Sequence, residues 1–328
     1  LNVFRSAKVM RDKWDRFKDP VAIGLDATKF DMHTSVEALK YEHSVYTGIF
    51  PHDKELRKIL RWQLYNKGTA YCDDGKVKFR VKGTRCSGDL NTSLGNCVIM
   101  CSLVYARLRH CMVDGELCNN GDDCVVIMER EAVWRFMYRL EEWFTRYGYR
   151  MQCEKPVDDF EQIEFCQSKP VWTVNGWCMV RNISACFKKD PMCLVPVQTT
   201  NVLRMWLRAV GDCGKAITTG VPVMQEWYSL FQRSGLEYSE GFKEQIIKGT
   251  SALERSSGLV KMDYARVTAE ARASFYFAFG MLPSIQIELE KTLQSMTIDC
   301  STIEDLPHPD FAMDKYNNQC NLMIACFT

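Results

Sequence analysis

The sequence lacks three features that would each indicate a particular class of protein. No apolar run reaches the roughly 18 residues that are needed to cross a bilayer, so we expect a soluble chain. Neither an internal repeat nor a low-complexity tract is present, which argues against solenoid and fibrous proteins. Hydrophobic residues make up 46% of the chain and charged residues 25%. These are ordinary values for a folded globular protein.

Signatures of zinc and disulfide frameworks are also weak. The chain has 16 cysteines but no Cys-x-x-Cys pair, and its five histidines are scattered. Structural zinc sites usually need ligands at close, regular spacing. No signal peptide precedes the first apolar elements, and the cysteines lie mostly inside apolar stretches. We therefore expect reduced, buried thiols in a cytosolic protein.

The chain carries almost no excess charge. Its 42 Lys and Arg residues face 41 Asp and Glu residues, which leaves a formal charge of +1. A polyanion would therefore have to be bound by a local basic surface, because net charge alone would not attract it.

Hydrophobic periodicity predicts a mixed region followed by a helical one, which is an α+β organisation. Strands are expected at 21–25, 70–72, 76–81, 116–119, 124–128, 149–153, 163–174 and 177–181. Helices are expected at 2–18, 34–47, 55–65, 92–112, 132–147, 199–211, 222–234, 241–249, 263–279 and 284–296.

Two acidic residues, Asp26 and Asp31, follow the first short apolar strand. This pair alone carries little information, since an Asp at a strand end and another at a helix N-terminus are common. Asp122 and Asp123 are more unusual, because Gly121 permits a turn that brings both carboxylates to one region. Such carboxylates repel unless a cation neutralises them, and their oxygens suit Mg²⁺. The similar Asp73-Asp74-Gly75 lacks an apolar strand behind it and is interpreted as a solvated turn.

The most specific pattern is Ser-Gly-x3-Thr-x3-Asn, at Ser87, Gly88, Thr92 and Asn96. Gly88 supplies a hinge before a predicted helix. Thr92 and Asn96 lie four residues apart, so they share a helix face and can present a hydroxyl and an amide to one ligand. The alternative is a polar loop that leads into a capped helix.

The order of these three elements resembles the palm of viral RNA-dependent RNA polymerases. Asp26 and Asp31 match that family's first palm motif, the segment from Ser87 to Asn96 the second, and Gly121-Asp122-Asp123 the third. The amino-acid sequences of these three motifs are similar to those in the polymerases of small positive-strand plant viruses of the tombusvirus family. The resemblance covers roughly residues 21–182.

This resemblance implies a right-hand polymerase fold. The palm, an antiparallel sheet with packed helices, would occupy 19–182 with a fingers insertion around 50–82, and a mainly helical thumb would occupy 183–328. Residues 1–18 would be a remnant of the fingers, most of which are missing, including the basic strand that grips the triphosphate. Because the first residue is Leu, we expect the chain to be part of a longer polypeptide, and its activity alone is in doubt.

The function implied is RNA-directed RNA polymerisation by two-metal nucleotidyl transfer. Two Mg²⁺ ions, which Mn²⁺ can replace, would be bound by Asp26, Asp122 and Asp123 with the Ala27 carbonyl. Lys155 would act as a general acid toward pyrophosphate. The ribose 2′-hydroxyl would be recognised by Asp31 and Asn96, together with Ser87 or Thr92. Gly88, which follows Ser87, would belong to the same ribonucleotide-binding segment.

The resemblance also implies partners and a location. RNA template and product would be bound through phosphates and 2′-hydroxyls, together with ribonucleoside triphosphates and other replicase proteins. Candidate RNA contacts are Arg80, Lys82, Arg85, Lys169, Arg181, Lys188 and Lys189, with Cys166 in a primer-grip hairpin. The expected location is the host cytoplasm, at membrane-associated replication complexes reached through regions or partners outside this chain.

Three other functions stay open at this point. A reverse transcriptase is disfavoured because Asn120 replaces the usual aromatic residue and Asp31 replaces a bulky steric gate. A metal-dependent nuclease does not account for the segment from Ser87 to Asn96. A noncatalytic RNA-binding or scaffold fragment would retain these motifs without activity.

Overall fold

A computed structural model describes residues 2–193, 197, 199–239, 241–242 and 264–300. The chain divides into two compact units. One unit is Lys13–Cys166, and the other combines Leu1–Asp12 with Gln167–Thr328. The helix α1 (Val3–Trp14) begins in the second of these units and ends in the first.

Lys13–Cys166 is a mixed unit of helices and antiparallel strands. Its strands are β1 (Pro20–Ala27), β2 (Tyr65–Cys72), β3 (Gly75–Lys82), β4 (Gly115–Asn120), β5 (Asp123–Glu129) and β6 (Met151–Cys153). Its helices are α2 (Phe30–His33), α3 (Val36–Ile49), α4 (Lys54–Trp62), α5 (Thr92–Cys111), α6 (Val133–Met137) and α7 (Leu140–Arg146). These elements confirm the predicted α+β character.

A four-stranded antiparallel sheet in the order β4-β5-β1-β6 is the centre of this unit. In β5, residues 124–128 are all buried, as expected for an inner strand. One face of the sheet packs on α5 and its neighbours in a core that includes Ile23, Met100 and Phe136. The strands β2 and β3 form a separate hairpin that lies almost entirely in solvent.

Side chains cap the N-termini of two helices. The Ser35 hydroxyl accepts a hydrogen bond from the Ala38 amide over 3.1 Å, and Asp53 accepts one from Leu56 over 2.8 Å. Such contacts satisfy amides that have no partner within the helix. The helix predicted over 92–112 is confirmed as α5.

The predicted continuous helix over 132–147 is wrong. It is split into α6 and α7, because Arg139 adopts a left-handed conformation with φ 53°. The buried Arg107 side chain donates hydrogen bonds to the carbonyl oxygens of Phe136 and Tyr138 at the break. These bonds satisfy carbonyls that a continuous helix would otherwise use. Periodicity could not show this, since Arg107 lies far away in sequence.

The predicted strand over 163–174 is too long. Cys166 and Gln167 have φ values of 52° and 56°, which a strand cannot accommodate. The strand therefore begins only at Ser168.

The second unit is mainly helical beyond one hairpin. The hairpin consists of β7 (Ser168–Thr173) and β8 (Gly176–Arg181). Its described helices are α8 (Ile183–Lys189), α9 (Thr200–Thr218), α10 (Met224–Ser234), α11 (Ala269–Phe279) and α12 (Pro283–Ser295). The sequence prediction missed α8, whereas the helix expected at 241–249 lies largely outside the described residues.

The core of this unit combines aliphatic residues with several large aromatic ones. Trp206, Tyr228, Phe231 and Phe275 are all buried there.

In the described part of the chain, no helix is long and apolar enough to cross a membrane. All 14 cysteines within it are free thiols.

Candidate active site

Asp26 and Asp123 lie next to each other at one end of the sheet. The β1–β5 register pairs Leu25 with Cys124, so the following position places Asp26 opposite Asp123. Directly opposed residues share one face of an antiparallel pair. Leu25 and Cys124 are buried on one face, whereas Asp26 is exposed and Asp123 half-buried on the other.

Asp122 lies in the two-residue turn between β4 and β5. Gly121, the other turn residue, has φ 77°. Residues with a Cβ atom disfavour this conformation, whereas glycine adopts it readily. The Asn119 side-chain amide donates to the Gly121 carbonyl over 2.8 Å, and the Gly121 amide donates to the Cys97 sulfur over 3.1 Å. These contacts fix the turn and leave Asp122 exposed.

The Asp123 carboxylate is fixed from the other side of the turn. The Cys166 amide donates to its Oδ2 over 2.8 Å, and the Asn120 side chain donates to the Cys166 sulfur over 3.1 Å. Burial raises the pKa of Asp123, and the carboxylates of Asp122 and Asp26 raise it further. The Cys166 amide acts in the opposite direction. The three predicted aspartates thus interact electrostatically.

These aspartates are not arranged as a ready-made metal site. Among the described residues, no three His, Cys, Asp or Glu side chains form a group that can bind a metal ion. The donor set nevertheless suits a hard cation, since carboxylate and carbonyl oxygens are the ligands that Mg²⁺ prefers. Ala27, whose carbonyl was predicted as a ligand, is the buried last residue of β1.

Asp31 is positioned by a short, well-anchored helix. Lys29 precedes α2 in a left-handed conformation, and Phe30 stacks on Tyr149 with ring centroids 4.5 Å apart. The Ser87 hydroxyl donates a hydrogen bond to Asp31 Oδ2, and the Asn96 side-chain amide donates to Oδ1 over 2.8 Å. The structure therefore brings together three of the predicted ribose-binding residues.

The remaining residues of this pattern are arranged differently. The Thr92 hydroxyl donates to the Cys86 carbonyl over 3.0 Å, which closes the loop before α5. A Cβ atom on Gly88 would meet no atom within 4 Å, so the structure shows no steric need for glycine there. Asn96 is only 6% exposed, and its Oδ1 has no hydrogen-bond partner among the described residues.

Arg85 requires a correction, because its side chain is fully buried and cannot contact RNA phosphates directly. Its guanidinium donates to Glu42, whose side chain is also fully buried. Asn91 and Tyr46 donate to the same carboxylate over 2.7 Å each. Since α5 passes close to this pair, a Cβ on Gly95 would lie 2.1 Å from Glu42 Oε1.

Arg181, also predicted as an RNA contact, is paired with a carboxylate of the protein. Its guanidinium is largely buried and donates to Asp190 over 2.8 Å, so its charge is already paired. Lys169 is half-buried, whereas Arg80 and Lys82 are exposed on β3. Cys166 uses its amide and sulfur within the turn contacts described above.

Lys155 is exposed and follows β6. The β1–β6 register pairs Asp26 with Gln152, so Lys155 lies three residues farther along. Three residues of extended backbone span about 10 Å.

Sequence reasoning missed the residues that support the site. Asn119 and Cys97 bind the Gly121 turn, and Glu42 neutralises Arg85 beneath the loop. Asn119 directly precedes the predicted turn, so its amide was a detectable signal. Cys97 and Glu42 gave none, because their partners are distant in sequence.

The sequence is similar to a known protein family and to several known viral proteins. Residues 1–301 match the family described as "Viral RNA dependent RNA polymerase". The chain is 43% identical over 286 residues to the RNA-directed RNA polymerase of Tobacco necrosis virus (strain A), covering 87% of this chain and 39% of that protein. It is also 43% identical to the RNA-directed RNA polymerases of Cucumber necrosis virus and Tomato bushy stunt virus (strain Cherry), covering 89% of this chain and 35% of each. The chain thus spans 35–39% of the length of these relatives.

Proposed function

The chain belongs to the viral RNA-dependent RNA polymerase family, and from this premise we propose that it carries the catalytic centre of an RNA-directed RNA polymerase. The reaction is template-directed transfer of a nucleotide from a ribonucleoside triphosphate to an RNA 3′-hydroxyl. The main support is the β1–β5 register, which puts Asp26 beside Asp123 with Asp122 in the adjoining turn. This arrangement concentrates negative charge at one sheet end.

We propose that Asp26, Asp122 and Asp123, with the Ala27 carbonyl, bind two Mg²⁺ ions, which Mn²⁺ can replace. Bound divalent cations activate the attacking hydroxyl and stabilise charge on the reacting phosphate. The raised pKa of Asp123 supports this assignment, since part of its cause is repulsion from Asp26 and Asp122 that a cation would relieve. Asp26 and Asp122 are exposed, so their side chains are free to adjust around a cation.

The Asp31 cluster is proposed to select ribonucleotides. Ser87 and Asn96 orient the Asp31 carboxylate through hydrogen bonds. The Asp31 carboxylate is half-buried, so it can be reached by a nucleotide and can accept a hydrogen bond from a ribose 2′-hydroxyl. A deoxyribose cannot donate this hydrogen bond, and a site built to bind a hydroxyl discriminates against a substrate that lacks it.

Lys155 is proposed to donate a proton to the departing pyrophosphate. Its exposure on the segment after β6 leaves the ammonium group free to move. A positioned general acid typically contributes about 10²- to 10⁴-fold to a rate.

We also propose how the chain divides into the domains of a polymerase. Residues 19–182 would form the palm with a fingers insertion around 50–82, residues 183–328 the thumb, and residues 1–18 a fingers remnant. RNA template and product, nucleotides and other replicase proteins would be the partners, at membrane-associated replication complexes in the host cytoplasm. Exposed Arg80 and Lys82 and half-buried Lys169 stay candidate RNA contacts.

A second candidate is a noncatalytic RNA-binding fragment. It is favoured by the exposed cations of β3, such as Arg80 and Lys82, which can contact RNA without a catalytic centre. The two functions differ in a single measurable activity.

Primer extension on a homopolymeric RNA template, with Mg²⁺ or Mn²⁺, distinguishes them. We expect Asp122→Asn to reduce extension by about 10³-fold, because removing a metal ligand costs several kcal/mol. Asp74→Asn is the matched control, since Asp74 is also an exposed residue in a two-residue turn between antiparallel strands, and it should leave extension unchanged. RNA binding without extension, both in this chain and in longer polypeptides that contain it, would favour the noncatalytic fragment.

A further inference from the structure

Positive charge is concentrated in a short part of the chain. Residues 54–82 contain nine Lys and Arg residues and three acidic residues, a net charge of +6 in a chain whose total is +1. This part consists of α4 and the β2–β3 hairpin. The local basic surface that a polyanion requires is therefore present.

The hairpin register places five of these cations on one face. Lys67 pairs with Arg80, and Tyr65, Thr69 and Tyr71 pair with three lysines. Because directly opposed residues share a face and alternate residues return to it, the cations that project together are Lys67, Lys76, Lys78, Arg80 and Lys82. We call this surface the basic hairpin face, and all five cations on it are exposed.

The cations on this face have no counterion among the described residues. None of the five forms an ion pair with any residue in the described ranges. Lys67 and Arg80 are directly opposed, and like charges in this position destabilise a strand pair. A bound polyanion would remove this repulsion.

Two aromatic side chains share the face. Tyr65 is 60% exposed and Tyr71 is 83% exposed. Tyrosine rings of this kind offer stacking surfaces for unpaired bases, whereas a base pair inside a duplex cannot stack on them. Cations interleaved with exposed aromatic residues are typical of surfaces that bind single-stranded nucleic acid.

We propose that the basic hairpin face binds single-stranded RNA, with the cations contacting phosphates and the two tyrosines stacking on bases. This inference deepens the proposed function and rests on it for the choice of RNA as the polyanion. An anionic lipid surface is the other candidate. It is less favoured because the exposed apolar side chains of Val77, Phe79 and Val81 project from the opposite face.

Fluorescence anisotropy with a labelled oligouridylate tests the charge part of the proposal. We expect Lys78→Gln/Arg80→Gln to weaken binding and to reduce the slope of log K against log salt by about 1.4, since each lost single-strand phosphate contact contributes about 0.7. Arg135→Gln/Arg146→Gln removes the same charge from exposed positions in the same unit, and it should leave the slope unchanged.

Stacking is tested at the more exposed tyrosine. Tyr71→Ala should lower the affinity by about 5-fold to 100-fold, whereas Tyr71→Phe should stay within about twofold. Circular dichroism of each variant checks that the fold is retained. Unchanged binding in the hairpin variants, equal losses in the arginine control, or binding to anionic vesicles with none to RNA would each overturn the proposal.

Failure of this inference is distinguishable from failure of the polymerase proposal. If the hairpin variants bind RNA normally while Asp122→Asn abolishes extension, the inference is wrong and the polymerase function stands. If RNA binding depends on the basic hairpin face but no polypeptide containing this chain extends a primer, the inference stands alone.

Discussion

Asn96 donates a hydrogen bond to Asp31, 65 residues earlier in the chain, over 2.8 Å. This contact joins the short helix α2 to the first turns of α5. The Ser87 hydroxyl donates to the same carboxylate. Asp31 is therefore oriented before any ligand binds, and preorganisation of this kind lowers the entropic cost of recognition.

Sugar selectivity should depend on this contact. We expect Asp31→Ala and Asn96→Ala to reduce the preference for ribonucleotides over deoxyribonucleotides by about tenfold or more, because the first removes the carboxylate that accepts from the 2′-hydroxyl and the second removes the amide that orients it. The ratio of the two incorporation rates measures this effect. Ser93→Ala alters an exposed position on the same helix and serves as the control. An unchanged ratio in Asp31→Ala would remove Asp31 from the sugar site.

Replacing Gly121 should destabilise the aspartate turn. Its φ of 77° lies in the left-handed region, so we expect Gly121→Ala to lower the free energy of unfolding by about 1 kcal/mol. Gly88→Ala is the matched control, because a Cβ there meets open space. Urea denaturation compares the two variants, and equal stability losses would contradict the strain argument.

Breaking the buried Arg85–Glu42 pair should be severe. Arg85→Met leaves the Glu42 charge without its buried counterion, so we expect a loss of about 3–5 kcal/mol in the free energy of unfolding. Glu142→Gln removes one partner of the exposed pair with Arg139 in the same unit and should change stability little. Chemical denaturation measures both variants. A small effect of Arg85→Met would show that this pair is accessible to water in the folded protein.

Stability should fall as the pH drops below about 6.5, in part because of His43. Burial lowers the pKa of His43 despite the opposing charge of Glu42. Between its lowered pKa and the ordinary value of 6.5 the unfolded chain binds more protons, so folding is favoured as the pH rises through this range. Denaturation of the wild type and of His43→Gln across this range isolates the contribution. If stability changes with pH equally in the wild type and in His43→Gln, His43 does not contribute to the pH dependence.

Local patterns predicted most of the helices and strands. The hydrophobic period of α5 and the buried run of β5 are determined over a few residues, which is the range over which periodicity acts. The same reasoning failed at Arg139, where a distant Arg107 ends a helix, and at Cys166, where two positive φ values end a strand. Burial of Arg85 was equally invisible, because its partner Glu42 lies 43 residues away.

The sequence by itself determined which chemical groups this protein has: three carboxylates at or near the ends of short strands, a Ser-Gly-x3-Thr-x3-Asn loop and a cationic hairpin. The tertiary structure decided which of them meet. Register between β1 and β5 places Asp26 beside Asp123, α5 delivers Asn96 to Asp31, and burial assigns Arg85 to Glu42. The physical reason is that hydrophobic burial and cross-strand pairing join residues far apart in the chain, whereas propensity acts only between neighbours.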